Sequence, residues 1–235
     1  MTETTLQGRR AFVTGASRGI GASVARKLAE GGARVALASR SGDDLGLSGA
    51  LGVECDVTQP SSVDAAVAAA VAELGGLDLV VANAGMGAYA PFLELDPEQL
   101  EQMIDVNLKG TLYTARAALP HLVSNGSGDF VSLASVAGLR AFPTEAVYNA
   151  SKFGQVGFTR ALDHEMRPHE VRCTAVCPGG VATDFALDTG RPEEALDGMM
   201  SADEAADAVI FCVTRPPGVR MLTVSYRPMD EPSWG

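Results

Sequence analysis

Cysteine is scarce in this chain and carries no pattern. Cys55, Cys173, Cys177 and Cys212 form no Cys-x-x-Cys, and the three histidines are scattered, so neither a disulfide framework nor a metal site is indicated. Cys173 and Cys177 fall on one face of an expected strand and read as small buried hydrophobes. Positive charge is in deficit: 18 Lys and Arg face 29 Asp and Glu, for a net charge of −11. A field of that sign repels phosphate backbones, which argues against nucleic acid as a partner. No apolar run reaches the roughly 18 residues of a membrane span. The opening MTETTLQGRR has no hydrophobic signal region. The expectation is a cytoplasmic protein with no membrane partner.

What is abundant is glycine, at 26 of 235 residues, together with 46% hydrophobic residues. Short apolar runs alternate with helical patterns from end to end, which predicts βαβ units and a doubly wound parallel sheet. Strands are expected at Arg10–Thr14, Arg34–Ala38, Leu51–Cys55, Leu77–Ala82, Gly128–Ser135, Val171–Cys177 and Met221–Ser225. Long helices are expected from Pro97 to about Val123 and over Thr144–Arg167. The reading is an α/β, Rossmann-type fold of about seven strands in the order 3-2-1-4-5-6-7, one domain over 1–235 with a tail at 226–235. Only Ser41–Ala50 joins strands two and three, shorter than the dozen or more residues a parallel crossover needs. A shortened helix or bare loop is expected there.

Strand one runs into Gly15-Ala16-Ser17-Arg18-Gly19-Ile20-Gly21, which opens helix one. Glycines there let backbone approach a pyrophosphate, and free N–H groups at the helix start face the anion. An acidic residue at the end of strand two would suit the ribose hydroxyl of NAD. This chain has Ser39-Arg40, and Arg18 lies in the loop itself. Guanidinium pairs bidentately with phosphate, which favours NADP(H) over NAD(H).

Tyr148 and Lys152 are four residues apart on the expected long helix and share a face. A neighbouring ammonium favours a phenolate, so the Tyr148 pKa is expected to be lowered. Ser135 stands at the carboxyl end of strand five, where open α/β sheets bind ligands. With Asp56-Val57, Asn83-Ala84-Gly85, Asn107, and Pro178-Gly179 followed by Thr183, the chain resembles the short-chain dehydrogenase/reductase family from about Arg9 to Val224. Ala82 stands where a doubled asparagine is commoner.

The resemblance implies roles. Tyr148 is the acid/base, Ser135 orients the substrate oxygen, and Lys152 holds the nicotinamide ribose. Asn107 positions a relay water. Asp56 touches the adenine amino group and Val57 stacks beside it. Asn83, Ala84 and Gly85 line the cofactor with Pro178, Gly179 and Val181, and Thr183 reaches the carboxamide or a phosphate. The substrate is then a small carbonyl compound or secondary alcohol. A 3-oxoacyl-thioester reductase and a non-catalytic dinucleotide sensor are the alternatives. Met86, Val136, Leu139, Phe142, Phe185 and Leu187 are the candidate pocket side chains, under a short cap that suggests an open pocket. The resemblance also implies a homodimer or homotetramer paired through the two long helices.

Overall fold

In a computed structural model of the protein, covering residues 5–231, the expected alternation resolves into one sheet of seven parallel strands. They are β1 Arg10–Thr14, β2 Arg34–Ser39, β3 Leu51–Glu54, β4 Leu79–Ala82, β5 Gly128–Leu133, β6 Val171–Pro178 and β7 Thr223–Tyr226. Their order is β3-β2-β1-β4-β5-β6-β7, as the sequence predicts. The register sets Phe12 opposite Ala36 and Val80, and Val131 opposite Val81 and Thr174.

The central strands are apolar on both faces because helices cover both. One layer holds α2 (Pro60–Leu74), α4 (Gly110–Ser124) and α5 (Ala146–Met166), packed on Phe12, Val80 and Phe130. The other holds α1 (Gly19–Glu30) and α7 (Ala202–Val213), packed on Val13, Val81 and Val131. Side chains alternate across a strand, so consecutive residues feed opposite layers. Cys173 and Cys177 do lie buried on one face. No helix among the described residues is long and apolar enough to cross a membrane.

The short link between β2 and β3 contains no helix. It turns through left-handed Gly42, Leu45, Gly46 and Gly49. It then passes so close to β3 that a Cβ on Gly52 would overlap the Gly42 carbonyl oxygen. Missing side chains, rather than missing distance, allow eleven residues to make the crossover.

Three differences from the sequence reading bear on the site. The helix expected from Pro97 to Val123 is α3 (Pro97–Met103), a wider π turn at Ile104–Lys109, and α4. Strand five stops at Leu133, and Ser135 instead caps a single 3₁₀ turn, Val136–Gly138. The helix expected from Thr144 begins at Ala146, because Thr144 has φ 65° and cannot join it.

Candidate active site

The carboxyl ends of the strands open into one cavity of about 840 Å³. The glycine loop forms its floor at one end. Gly15 has φ 64°, and a Cβ on Gly21 would overlap the Gly15 carbonyl oxygen. A side chain at Gly21 is therefore excluded, and the helix start stays open to an anion. Asn83 fixes this loop: its Nδ2 donates to the Thr14 carbonyl (2.9 Å) and the Gly15 carbonyl (3.0 Å). Thr14 Oγ1 accepts from the backbone N–H of Asn83 and of Ala84. The Asn83 amide is thus a strut of the loop, and only its remaining surface lines the cavity.

Ser17, Arg18, Gly19, Ile20, Ser39, Arg40, Asp56, Val57, Ala84 and Gly85 line this end. Asp56 Oδ1 accepts from the Thr58 N–H and hydroxyl, which closes the turn after β3. Ser39 Oγ lies 3.1 Å from Ser41 Oγ. Arg18 is not free for a ligand alone: it pairs with Asp188 (2.6 Å) and Asp184 (3.5 Å) on the short helix α6, Asp184–Asp188. All three side chains are more than half exposed, so these pairs are weak and yield to a stronger anion.

Ser135, Tyr148 and Lys152 meet at the middle of the cavity with Pro178, Gly179, Val181 and Thr183. The Tyr148 phenol interacts with the Ser135 side chain across the cavity. Lys152 Nζ lies 5.6 Å from the Tyr148 ring centroid and donates to the Leu133 carbonyl at 3.1 Å. The expected lowering of the phenol pKa is not found. Burial is the largest influence on Tyr148 and pushes it up to about 12, against the opposing hydrogen bond from Ser135. Burial also pushes Lys152 down to about 8. Sequence spacing brings the two groups together but says nothing of the water they lose.

Asn107 sits in the π turn, fully buried. Its Oδ1 accepts from Met86 N–H at 2.8 Å; its Nδ2 donates to the Met86 carbonyl (2.9 Å) and Ser151 Oγ (3.0 Å). Ser151 in turn donates to the Tyr148 carbonyl. The Asn107 side chain thus ties the wall after β4 to the Tyr148 helix. The π turn is what aims it inward.

Of the expected pocket side chains, Met86, Val136, Phe142 and Phe185 line the cavity, whereas Leu139 and Leu187 do not. Leu139 packs against Val156 and Cys177, and Leu187 is exposed. The sequence reading missed Tyr89, Glu145 and Arg191, which also line it. The Tyr89 ring packs edge-on against that of Tyr148, with centroids 5.4 Å apart. It missed Asn149 as well, which holds the loop bearing Phe142 through Ala137, Arg140 and Phe142 backbone groups. Asn149 neighbours Tyr148 in sequence, which was the only available signal.

The family model for short chain dehydrogenase matches residues 9–194. An uncharacterized oxidoreductase of Staphylococcus epidermidis is 36% identical over 225 residues, covering 93% of this chain and 96% of the relative. The crystal structure of a 3-ketoacyl-(acyl-carrier-protein) reductase from Brucella melitensis, complexed with NADH, aligns with TM-score 0.87 at 29% identity. It covers 94% of this chain and 98% of its own. An alcohol dehydrogenase from Thermococcus sibiricus, complexed with 5-hydroxy-NADP, aligns with TM-score 0.85 at 33% identity, covering 96% and 99%. The chain belongs to the short-chain dehydrogenase/reductase family and is an oxidoreductase of that family. The family's fold binds a nicotinamide dinucleotide, and the side-chain-free cradle at Gly15 and Gly21 fits one.

Proposed function

We propose that the protein is an NADP(H)-dependent oxidoreductase acting on a carbonyl compound or secondary alcohol. The observation that carries this is the convergence of Ser135, Tyr148 and Lys152 in one cavity with the glycine loop. Arg40, Ser39 and Arg18 at the dinucleotide end support a 2′-phosphate, because no acidic side chain ends β2. The nicotinamide, when bound, supplies or accepts the hydride.

The chain's own residues do the rest. Ser135 holds the substrate oxygen beside the Tyr148 hydroxyl. With its pKa near 12, Tyr148 keeps its proton at neutral pH and donates it as the oxygen gains charge. Lys152 is charged below about pH 8 and stabilises the phenolate that donation leaves. Asp56, Val57, Asn83, Ala84, Gly85, Pro178, Gly179, Val181 and Thr183 hold the dinucleotide. Asn107, whose backbone carbonyl accepts from Thr111 Oγ1 and keeps a second lone pair, positions the water that relays protons to solvent.

We also propose a homodimer or homotetramer. Phe153 is 46% exposed on α5, and Leu108, Leu112 and Phe158 are only partly buried. Val147, Val156 and Leu162 are buried within the chain and take no part. Isologous pairing hides such a face. The functional test is oxidation of NADPH, with NADH in parallel, against a panel of aldehydes and ketones. Turnover with preference for NADPH is expected. No turnover of any carbonyl or alcohol would leave the dinucleotide-sensor reading.

A further inference from the structure

Next to Tyr148 lie side chains that the proton step does not use. Tyr89 is on the loop after β4, Glu145 precedes α5, and Arg191 lies on the cap between α6 and α7. The Arg191 guanidinium carbon is 5.2 Å from the Tyr89 ring centroid, and its Nη2 is 3.4 Å from Glu145 Oε1. The Phe185 ring is 6.0 Å from that of Tyr148. The Glu145 side chain is 11% exposed and that of Arg191 34%.

Two features single out Glu145. First, a buried carboxylate is unfavourable unless compensated, and Arg191, the cation beside it, approaches only at 3.4 Å. Burial accordingly favours its neutral form, and Arg191 opposes this. Second, the residue before it, Thr144, is β-branched yet has φ 65°. Strain of that kind persists where surroundings impose it, and functional sites are where it gathers. Here the Ala90 N–H donates to the Thr144 carbonyl at 3.0 Å, tying the Tyr89 loop to the Glu145 turn. The fold holds a carboxylate and an aromatic face together beside the reacting centre.

We propose that Glu145, Tyr89 and Phe185 form a subsite for a cationic group, so that the substrate is a carbonyl compound bearing an ammonium, with Arg191 as its internal stand-in. The assignment rests on the reading of Ser135 and Tyr148 as the reacting centre. A guanidinium already seated over the Tyr89 ring shows that the position accepts a cation. Arg191 is the more exposed member of the pair and moves aside more easily than Glu145. An anionic substrate would meet the buried carboxylate, and Asp197, Asp230 and Glu231 line the same cavity. A cationic one replaces Arg191 without leaving Glu145 unpaired.

The test compares three aldehydes of one length, ending in trimethylammonium, in its neutral tert-butyl isostere and in carboxylate. Calorimetry with tetramethylammonium and with trimethylacetate, on the same protein, reads binding without turnover. The expected result is kcat/KM at least ~10-fold higher for the ammonium aldehyde than for the neutral one. Glu145→Gln should abolish that preference and the tetramethylammonium heat. Arg191→Gln should raise kcat/KM for the ammonium aldehyde by ~2–10-fold. Because Glu145→Gln could unfold the turn, its melting temperature is measured, and Arg191→Gln gives an independent reading. Preference for the carboxylate, lost in Arg191→Gln, would overturn the proposal and make Arg191 an anion ligand. Equal turnover of all three would overturn it too. If none is reduced but tetramethylammonium binds and Glu145→Gln abolishes binding, the subsite stands and the oxidoreductase reading of the pocket fails.

Discussion

The two ends of the sheet are built on opposite plans. At the amino ends, charge is paired and enclosed. Asp129 at the start of β5 accepts from Arg9 (2.6 Å) and Arg172 (2.7 Å), and Asp78 accepts from Arg10 at 2.7 Å. Arg9 also donates to the carbonyls of Asp78 and Val213, and Arg172 to those of Arg215, Pro216 and Val219. At the carboxyl ends, Lys152 is buried without a carboxylate, Glu145 is under-compensated, and glycines leave backbone N–H groups open. One end holds the strands and α7 together. The other carries groups whose charge is not balanced in this way.

The largest effect should come from breaking the closed end. Asp129→Ala leaves two arginines without their shared carboxylate, all three side chains being 8–13% exposed. Unpairing a buried charge costs about 3–5 kcal/mol. Urea unfolding should show a loss of that size, while the fraction still folded keeps its kcat. A loss under ~1 kcal/mol would mean that water reaches the network.

At the open end, Tyr148→Phe should do the reverse. The removed oxygen is the proton donor, so kcat should fall at least ~10²-fold, equal to about 3 kcal/mol of barrier. Dinucleotide binding, read by calorimetry, should be kept. Near-normal turnover would remove Tyr148 from the acid role.

The same contrast governs what the sequence reveals. The central strands, the glycine loop and the spacing of Tyr148 and Lys152 are local patterns, and the sheet order follows from them; Ser135 lies two residues beyond β5. Tyr89, Glu145 and Arg191 come from three connections with no shared period, so only the folded chain joins them. The arginine–aspartate lacing escaped notice for the same reason: Arg9 precedes β1, Asp129 lies in β5 and Arg172 in β6. Burial is a property of the assembly, so the shift of Tyr148 upward was not legible from a lysine four residues away. The π turn was invisible because its residues fit an ordinary helix.

A smaller effect is expected at the dinucleotide end. Arg40→Asp replaces a guanidinium with a carboxylate beside the 2′-position, while Arg18 remains. Loss of one charge-assisted contact is about 1.5–3 kcal/mol. The ratio of kcat/KM for NADPH over NADH should therefore fall ~10- to 100-fold. An unchanged ratio would show that Arg40 does not face the phosphate, and Arg18, leaving Asp188, would be the next residue to change.

The smallest effect runs in the favourable direction. The Lys152 ammonium has lost its water and gained one carbonyl, and its pKa falls from 10.5 to about 8. Below about pH 8 it is charged in both folded and unfolded chains, so the full cost of burying the charge is present. Between about 8 and 10.5 the folded chain releases a proton that the unfolded chain retains. The unfolded state then binds more protons, and stability rises with pH until the cost is gone. Lys152→Met has no charge to bury, so it should lose activity yet gain about 1–2 kcal/mol at pH 7. That gain should vanish near pH 10.5. Tyr148 pulls the other way above pH 10, where the folded chain keeps a proton that the unfolded chain loses, but it is present in both proteins and largely cancels. Urea unfolding of both at pH 7 and at pH 10 reads the difference directly. A gain that stayed constant across that range would mean that folded and unfolded chains bind the same number of protons there, so the Lys152 pKa is not lowered in the fold and its ammonium stays beside Tyr148 up to pH 10.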